Sequence, residues 1–367
     1  MTATLSQLLD DHLDSFLDVH KLPWYQLKAL KAYRACRTAK LGSHSQYCEN
    51  GHLMGVWYNS CKRRGCPQCQ TLSNERWLAV QRERLLASTH HHWVFTLPHD
   101  LLPLWRYNRV VMQDLLFRSV ADVLAVLSRD ANYLGAQPAF SLTLHTWGRN
   151  LSLHPHIHCL IAHGGLNAER QWVIPRKKCL FPARVMMQLF RGKFLSALKA
   201  KTDLVLPDDM TATHFRKVIN RLGRTDWVVH CCKPYRHGRG VVTYLSRYVK
   251  SGPFKNRQLR TVDEQSVTFA YQSHQTRRHA CQKFSITDFL FRLCDHIPQH
   301  GKFSLRHYGL YHPCRHEALD EARRSLGQTP VPEVQPVSWQ AYLMTKDSIP
   351  RCDICQAPLR GLKPLGG

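Results

Sequence analysis

The chain has 367 residues and carries 51 Lys and Arg against 26 Asp and Glu, a formal charge of +25 at pH 7. This length suits a main domain with one or two small additions, and a hydrophobic fraction of 44% excludes wholesale disorder. No apolar run is long enough to span a bilayer and no lipidation signal accompanies the basic residues, so DNA or RNA rather than a membrane is the expected partner.

The opening MTATLSQLLDDHLDSF puts acids where a signal peptide needs an apolar stretch, so the expected location is the reducing cytoplasm, at the nucleoid. Residues 1–35 carry Leu5, Leu8, Leu9, Leu13, Phe16 and Leu17 at helical spacing, broken by Pro23 and resumed through Leu27 and Leu30, which predicts a helical lead-in. Residues 36–90 form the next unit, expected to be a zinc-binding domain with its connecting helix. There the periodicity gives way to Cys48, His52, Cys61, Cys66 and Cys69, and the Cys66-Pro67-Gln68-Cys69 turn has the spacing that offers two thiolates to one tetrahedral ion. The interleaved His favours Zn²⁺ over an iron–sulfur cluster. Five candidates compete for four positions: Cys48, Cys66 and Cys69, with Cys61 or His52 completing the set and Cys36 and His44 in reserve. Lys40, Lys62, Arg63 and Arg64 give this unit a basic face able to ride on phosphates.

A helix is expected from Ser73, as N-cap, to about Leu86. The third unit, residues 91–325, begins with a strand at 93–97. A helix over 104–129, strands at 140–147 and 151–162, helices at 183–200 and near 213–222, and a strand at 226–232 follow, and together they predict an α+β fold with helices against an antiparallel sheet. VVTYLSRYVK reads as a short helix stopped by Gly252 and Pro253, with strand-like pieces at 258–271 and 302–307 beyond it. Residues 326–367 read as a linker ending in Cys352-x-x-Cys355, half a zinc site to be completed by Cys314, His312 or another chain.

Two patterns in the third unit bear on chemistry. In NLSLHPHIHCLIA the alternate positions place His154, His156 and His158 on one face of a strand and Leu151, Leu153, Ile157 and Ile161 on the other. Neighbours on that face stand about 7 Å apart, close enough for His156 and His158 to grip one ion. His154 is left to support them or to touch phosphate, and His145 on the adjacent strand is the candidate third ligand. Tyr244 and Tyr248, four apart on the short helix, project their hydroxyls from one face, flanked by Arg247 and Lys250. A tyrosine that attacks DNA keeps the phosphodiester energy in a reversible phosphotyrosine link. Its phenol, with a pKa near 10, needs a metal such as Mg²⁺ or Mn²⁺ and cations to stabilise the developing charge.

HPHIHCLI resembles the His-hydrophobe-His (HUH) motif, and YLSRY the paired-tyrosine motif, of two-tyrosine rolling-circle transposases. FTLP at 95–98 resembles the first motif of Rep proteins, and YNSCKRRGCPQCQ is similar to the zinc module that precedes the catalytic domain in that family. The resemblance runs from about residue 36 to 310. It implies an HUH/Rep-like sheet with flanking helices, cleavage of single-stranded DNA ends through a 5′-phosphotyrosine intermediate, Tyr244 and Tyr248 as nucleophiles, and His156 and His158 as ligands. The chain departs from it in having Cys48-Glu49-Asn50-Gly51-His52 where many relatives carry C-x-x-C, so the role of His52 is open. Two other readings compete. A histidine-triad nucleotide hydrolase or transferase would use one of the alternating histidines as nucleophile without metal, and a non-catalytic zinc-dependent nucleic-acid binder would leave the tyrosines idle. The sequence is silent on oligomeric state.

Overall fold

The computed structural model describes residues 3–175, 179–232, 235, 240, 242–243, 252–273, 276–299, 301–344 and 351–364. Tyr244, Arg247, Tyr248 and Lys250 lie outside these residues.

Helix α1 (Leu5–Val19) starts at a capping box, in which the Thr4 hydroxyl accepts from the Gln7 N–H while the Gln7 amide oxygen accepts from the Thr4 N–H. Pro23 precedes α2 (Trp24–Ala35) as the sequence predicts. The stretch without helical periodicity then folds as a hairpin, β1 (Ser43–Cys48) and β2 (Leu53–Tyr58). Helix α3 (Thr71–Arg84) begins after Gln70, so Ser73 lies inside the first turn and is not the expected N-cap. It stops at Arg84, before Leu86.

The main sheet opens with β3 (His90–Thr96), which reaches three residues further upstream than expected. The long helix expected over 104–129 is two, α4 (Leu102–Tyr107) and α5 (Arg109–Arg129). Asn108 breaks it: its backbone leaves the helical region, and its side-chain amide binds the carbonyl of Val205 at 2.7 Å and accepts the Val205 N–H at 2.8 Å. Then come β4 (Gln137–Trp147), β5 (Leu153–Leu166), a short β6 (Trp172–Val173), α6 (Ala183–Lys199), α7 (Ala212–Leu222) and β7 (Val229–Cys231). Leu151 has a φ of 60°, and β5 begins two residues after it.

A second small sheet follows as β8 (Leu259–Val262), β9 (Ser266–Gln272) and β10 (His279–Ser285), leading into α8 (Ile286–His296), whose Ser285 cap accepts from the Asp288 N–H. The chain ends with β11 (Leu305–Gly309), α9 (His316–Ser325), α10 (Trp339–Met344) and β12 (Leu359–Pro364). Strands pair in the orders β11-β4-β5-β3-β7 with β6 on β5, β10-β9-β8, and β12-β1-β2, antiparallel throughout. The fold is the mixed helix and antiparallel-sheet architecture that the sequence predicts.

Strand alternation gives the main sheet two unlike faces. Trp93, Phe95, Phe140, Leu142, Leu144, Ile157, Cys159 and Ile161 point one way into a core closed by Leu116, Phe117, Val120 and Leu124 of α5 and Phe190 and Phe194 of α6. A separate core packs Leu5, Leu9, Leu13 and Tyr33 of the N-terminal helices against Phe269, Phe284, Phe289 and Leu293. The lead-in is thereby fastened to residues 254–297, far along the chain. No helix among the described residues is long and apolar enough to cross a membrane.

Candidate metal centres and catalytic face

The second face of the main sheet carries histidines. Register pairs His145 of β4 with His156 of β5 and Thr143 with His158, so His145, His156 and His158 share this face. Their ring nitrogens lie within 4.8 Å of one another and all three residues are buried. The Nδ1 of His156 donates to the carbonyl oxygen of His154 at 2.6 Å, which leaves its Nε2 as a lone pair. That Nε2 stands 3.1 Å from Nε2 of His158. Two nitrogens bound side by side to one ion at about 2.1 Å would be separated by about 3 Å, so the spacing fits a shared cation.

Burial holds the imidazoles neutral. It lowers His156 to about 4 and takes His145 and His158 well below the ordinary histidine value, with the neighbouring imidazoles adding to the effect. A neutral imidazole is the form that ligates metal. His92, on β3, presents Nε2 to Nδ1 of His158 at 2.8 Å and is itself lowered by burial to about 4. It lies outside the expected strand, which begins at Trp93. Continued upstream with the same alternation, that strand puts His90 and His92 on the face that bears His158. His154 is half-buried at the edge, its Nδ1 3.4 Å from Nε2 of His99.

The five expected zinc residues divide between two places. Cys61, Cys66 and Cys69 join Cys36, while Cys48 and His52 join Cys352 and Cys355. One ion shared by Cys48, Cys66 and Cys69 is therefore geometrically excluded: β1 and β2 carry Cys48 and His52 away from the Cys66-Cys69 turn, and Cys36, held in reserve, takes the fourth corner. The half-site at Cys352 and Cys355 meets neither Cys314 nor His312, which sit elsewhere around the start of α9. His44 contacts Asn59 instead of a thiol.

In the first cluster Cys36 and Cys66 sulfurs are 3.6 Å apart and Cys61 and Cys69 sulfurs 3.7 Å, against about 3.8 Å for the edge of a tetrahedral zinc–thiolate site. Hydrogen bonds from the neighbouring thiols, Cys36 first, pull Cys69 down, and the same crowding pushes Cys66 up. Tight backbone delivers the donors, with φ of 51° at Lys62 and 85° at Gly65, where an added Cβ would meet the Tyr33 hydroxyl at 2.6 Å.

The basic residues of this module part company. Lys62 is exposed, but Arg64 turns inward, donating to the Lys302 carbonyl at 2.8 Å and to the Ser304 hydroxyl, and burial lowers its pKa. The segment holding the two tyrosines is bracketed by described residues on both sides. Val242 is buried with Leu160, which is two residues along the strand from His158, and Thr243 accepts from Arg82 of α3 at 3.2 Å. Gly252 lies against the Gly65 carbonyl, where a Cβ would come within 2.1 Å, and lines a cleft with Trp147, whose ring stacks on His145 at 5.2 Å.

Comparison with known proteins agrees with these features. Residues 140–318, which include the His145, His156 and His158 cluster, match a family described as "Putative transposase", and residues 8–97 match a "Transposase zinc-binding domain". The chain is 32% identical over 314 residues to "Putative transposase y4qJ" of Sinorhizobium fredii, covering 83% of this chain and 79% of that protein. It is also 32% identical over 340 residues to the "Transposase for insertion sequence element IS801" of Pseudomonas savastanoi pv. phaseolicola, covering 88% and 80%. No solved structure matches. Both family matches and relatives aligned over most of their length agree, and the chain belongs to the IS91/IS801 family of insertion-sequence transposases.

Proposed function

We propose that this transposase nicks and rejoins single-stranded element ends by a rolling-circle route, with Tyr244 and Tyr248 as nucleophiles and a 5′-phosphotyrosine intermediate. The observation that carries the reading is the convergence of three neutral imidazoles, His145, His156 and His158, on the sheet face where Val242, two residues before Tyr244, packs with Leu160. Tyr244 and Tyr248 follow Val242 by two and six residues in the sequence, which supports the reading.

In the cleavage step a phenolic oxygen forms a bond to phosphorus and the bond from phosphorus to the 3′ oxygen breaks. The phenolic proton passes to water and the 3′ oxygen leaves as a hydroxyl. Rejoining reverses the step with a different 3′ hydroxyl, conserving one ester bond throughout. His156 and His158, with His145 as third donor, would hold a divalent ion, Mg²⁺ or Mn²⁺, which supplies Lewis-acid polarisation of a phosphate oxygen. An all-nitrogen donor set fits Mn²⁺ better than Mg²⁺, which prefers oxygen. Arg247 and Lys250 flank the nucleophiles and would neutralise phosphates beside them. Lys62, Arg63 and His154 extend the DNA contact, whereas Arg64 positions the module. Three donors leave coordination positions open for a phosphate, which a four-donor site lacks.

The test is incubation with single-stranded element ends and Mn²⁺ or Mg²⁺, followed by a denaturing gel. A protein-linked DNA band is expected, absent with Tyr244→Phe plus Tyr248→Phe although DNA binding persists. Nicked DNA without any covalent adduct, or an adduct that survives in the double variant, would sink the reading. Nucleotide hydrolysis that continues in chelator would favour the histidine-triad alternative.

A further inference from the structure

We propose that Cys48, His52, Cys352 and Cys355 form a second zinc site, distinct from the Cys36, Cys61, Cys66 and Cys69 cluster, which locks the C-terminal arm onto the β1–β2 hairpin. The two cysteines of the arm lie outside both family matches, which end at residues 97 and 318.

The geometry is that of a tetrahedral ion. Cys48 and Cys355 sulfurs are 3.7 Å apart, while Nδ1 of His52 is 3.4 Å from Cys48 sulfur and 3.6 Å from Cys352 sulfur. A tetrahedral zinc has edges of about 3.8 Å between thiolates and about 3.6 Å between thiolate and imidazole. The surrounding backbone is built as a pair of knuckles. In the first, the His52 N–H donates to Cys48 sulfur at 3.3 Å, and Gly51, with a φ of 82°, closes the turn by donating to the Cys48 carbonyl. In the second, Gln356 adopts a φ of 58° and donates to the Cys352 carbonyl at 2.8 Å. The Asn50 side chain donates to Cys355 sulfur at 3.3 Å, joining the two. Amide donors aimed at sulfur stabilise thiolates, the form a metal needs.

A metal also answers a packing deficit. Cys48, Cys352 and Leu359 are the buried members of the local apolar cluster, and two of these three are ligands. Leu53 and Val56 of β2 are 54% and 50% exposed. A three-stranded sheet with so little apolar contact is not stable in water without a cross-link. Yet β12 pairs with β1 from His44↔Pro364 to Cys48↔Leu359, joining ends of the chain more than three hundred residues apart. The arm reaches that place along α3, where Arg76 donates to the Val337 carbonyl at 2.8 Å and α10 packs on the same helix. A mixed thiolate–imidazole set of four donors selects zinc, and with every position filled by protein the site is structural.

Cobalt substitution in the full chain tests this, because thiolate-to-cobalt charge-transfer absorption arises from the cysteine sites and not from the imidazole cluster. The wild type offers seven thiolates, four at the first site and three at the second. Cys352→Ser with Cys355→Ser is expected to lower that absorption by about 40% and to release one zinc per chain, the remaining signal showing that the first cluster is still folded. His52→Cys is expected to keep the full metal content and His52→Ala to lose one ion. In the unmodified protein, Cys48, Cys352 and Cys355 should resist alkylation until chelator is added and then react together. Unchanged metal content in the arm variant, full content in His52→Ala, or alkylation of Cys352 and Cys355 in the zinc-loaded wild type would overturn the proposal.

Discussion

The Cys36 cluster and the His145 cluster both gather metal-ligating atoms, and they do so by opposite means. The thiols come from loops and turns, with left-handed backbone at Lys62 and Gly65, around a segment that has few apolar residues of its own. The imidazoles come from the middle of two long paired strands whose register, His145↔His156, is set by the core on the sheet's other face. In the first case the metal holds the fold. In the second the fold would hold the metal of the proposed function, and three donors would leave positions open for a substrate.

The largest expected effect breaks the first member of the pair. Cys66 is fully buried and packs with Tyr33, and its cluster touches the core that fastens α1 and α2 to β9 and α8. Cys66→Ser should forfeit most of a metal-binding free energy on the order of 10 kcal/mol and unfold residues 5–69. Limited proteolysis and thermal melting check it, and a variant with wild-type protection and melting temperature would show that packing alone sustains the module.

The opposite outcome is expected at the sheet. His156→Ala removes a donor from strands that pair along their whole length, so melting should shift by only a few degrees. Cleavage should fall by about a thousandfold, since the loss is one of transition-state charge stabilisation worth several kcal/mol. Nicking rates and calorimetry on one preparation separate the two readouts. A collapse of stability alongside activity would erase the contrast between the clusters.

Acid sharpens the comparison from a third direction. Burial lowers His90, His296 and His307 to about 4, and none of them belongs to a metal cluster. Each stays neutral in the folded chain while its unfolded counterpart, with a pKa near 6.5, takes up a proton. Stability is therefore full above about pH 6.5, falls as the pH drops towards 4 and levels off below it, with each residue costing about 3 kcal/mol at the low end. Unfolding by urea across this range should show a midpoint that falls steadily with pH. His307→Gln should flatten that slope, and an unchanged slope would place the acid sensitivity elsewhere.

Much of the histidine face was legible in the sequence, because strand alternation alone puts His154, His156 and His158 on one side and Ile157 and Ile161 on the other. The neighbouring strand supplies His145 by the same arithmetic. The split of the zinc residues was not legible. Spacing within 48–69 says nothing of a hairpin that carries Cys48 and His52 off to meet Cys352 and Cys355, and a contact across three hundred residues leaves no local trace. The break at Asn108 was hidden for a similar reason: its cause is the Val205 backbone, ninety-seven residues downstream. Helix α8 is absent from the sequence expectations, although Ser285 caps its start by accepting from the Asp288 N–H.

The smallest effect concerns His92, which under the proposed function would tune a strand-borne ligand. Ligation through Nε2 of His158 requires the ring proton on Nδ1, and His92 offers Nε2 at 2.8 Å to accept it. His92, lowered to about 4, remains a neutral acceptor at any working pH. His92→Phe removes that acceptor while keeping a ring in the space, so it should weaken Mn²⁺ binding by about tenfold. Cleavage at saturating Mn²⁺ should stay near the wild-type rate, because His156, His158 and the tyrosines are untouched. His92→Gln restores an acceptor oxygen and should recover most of the affinity. A Phe variant with unaltered affinity would mean that packing against β3, and not the proton on Nδ1, orients His158.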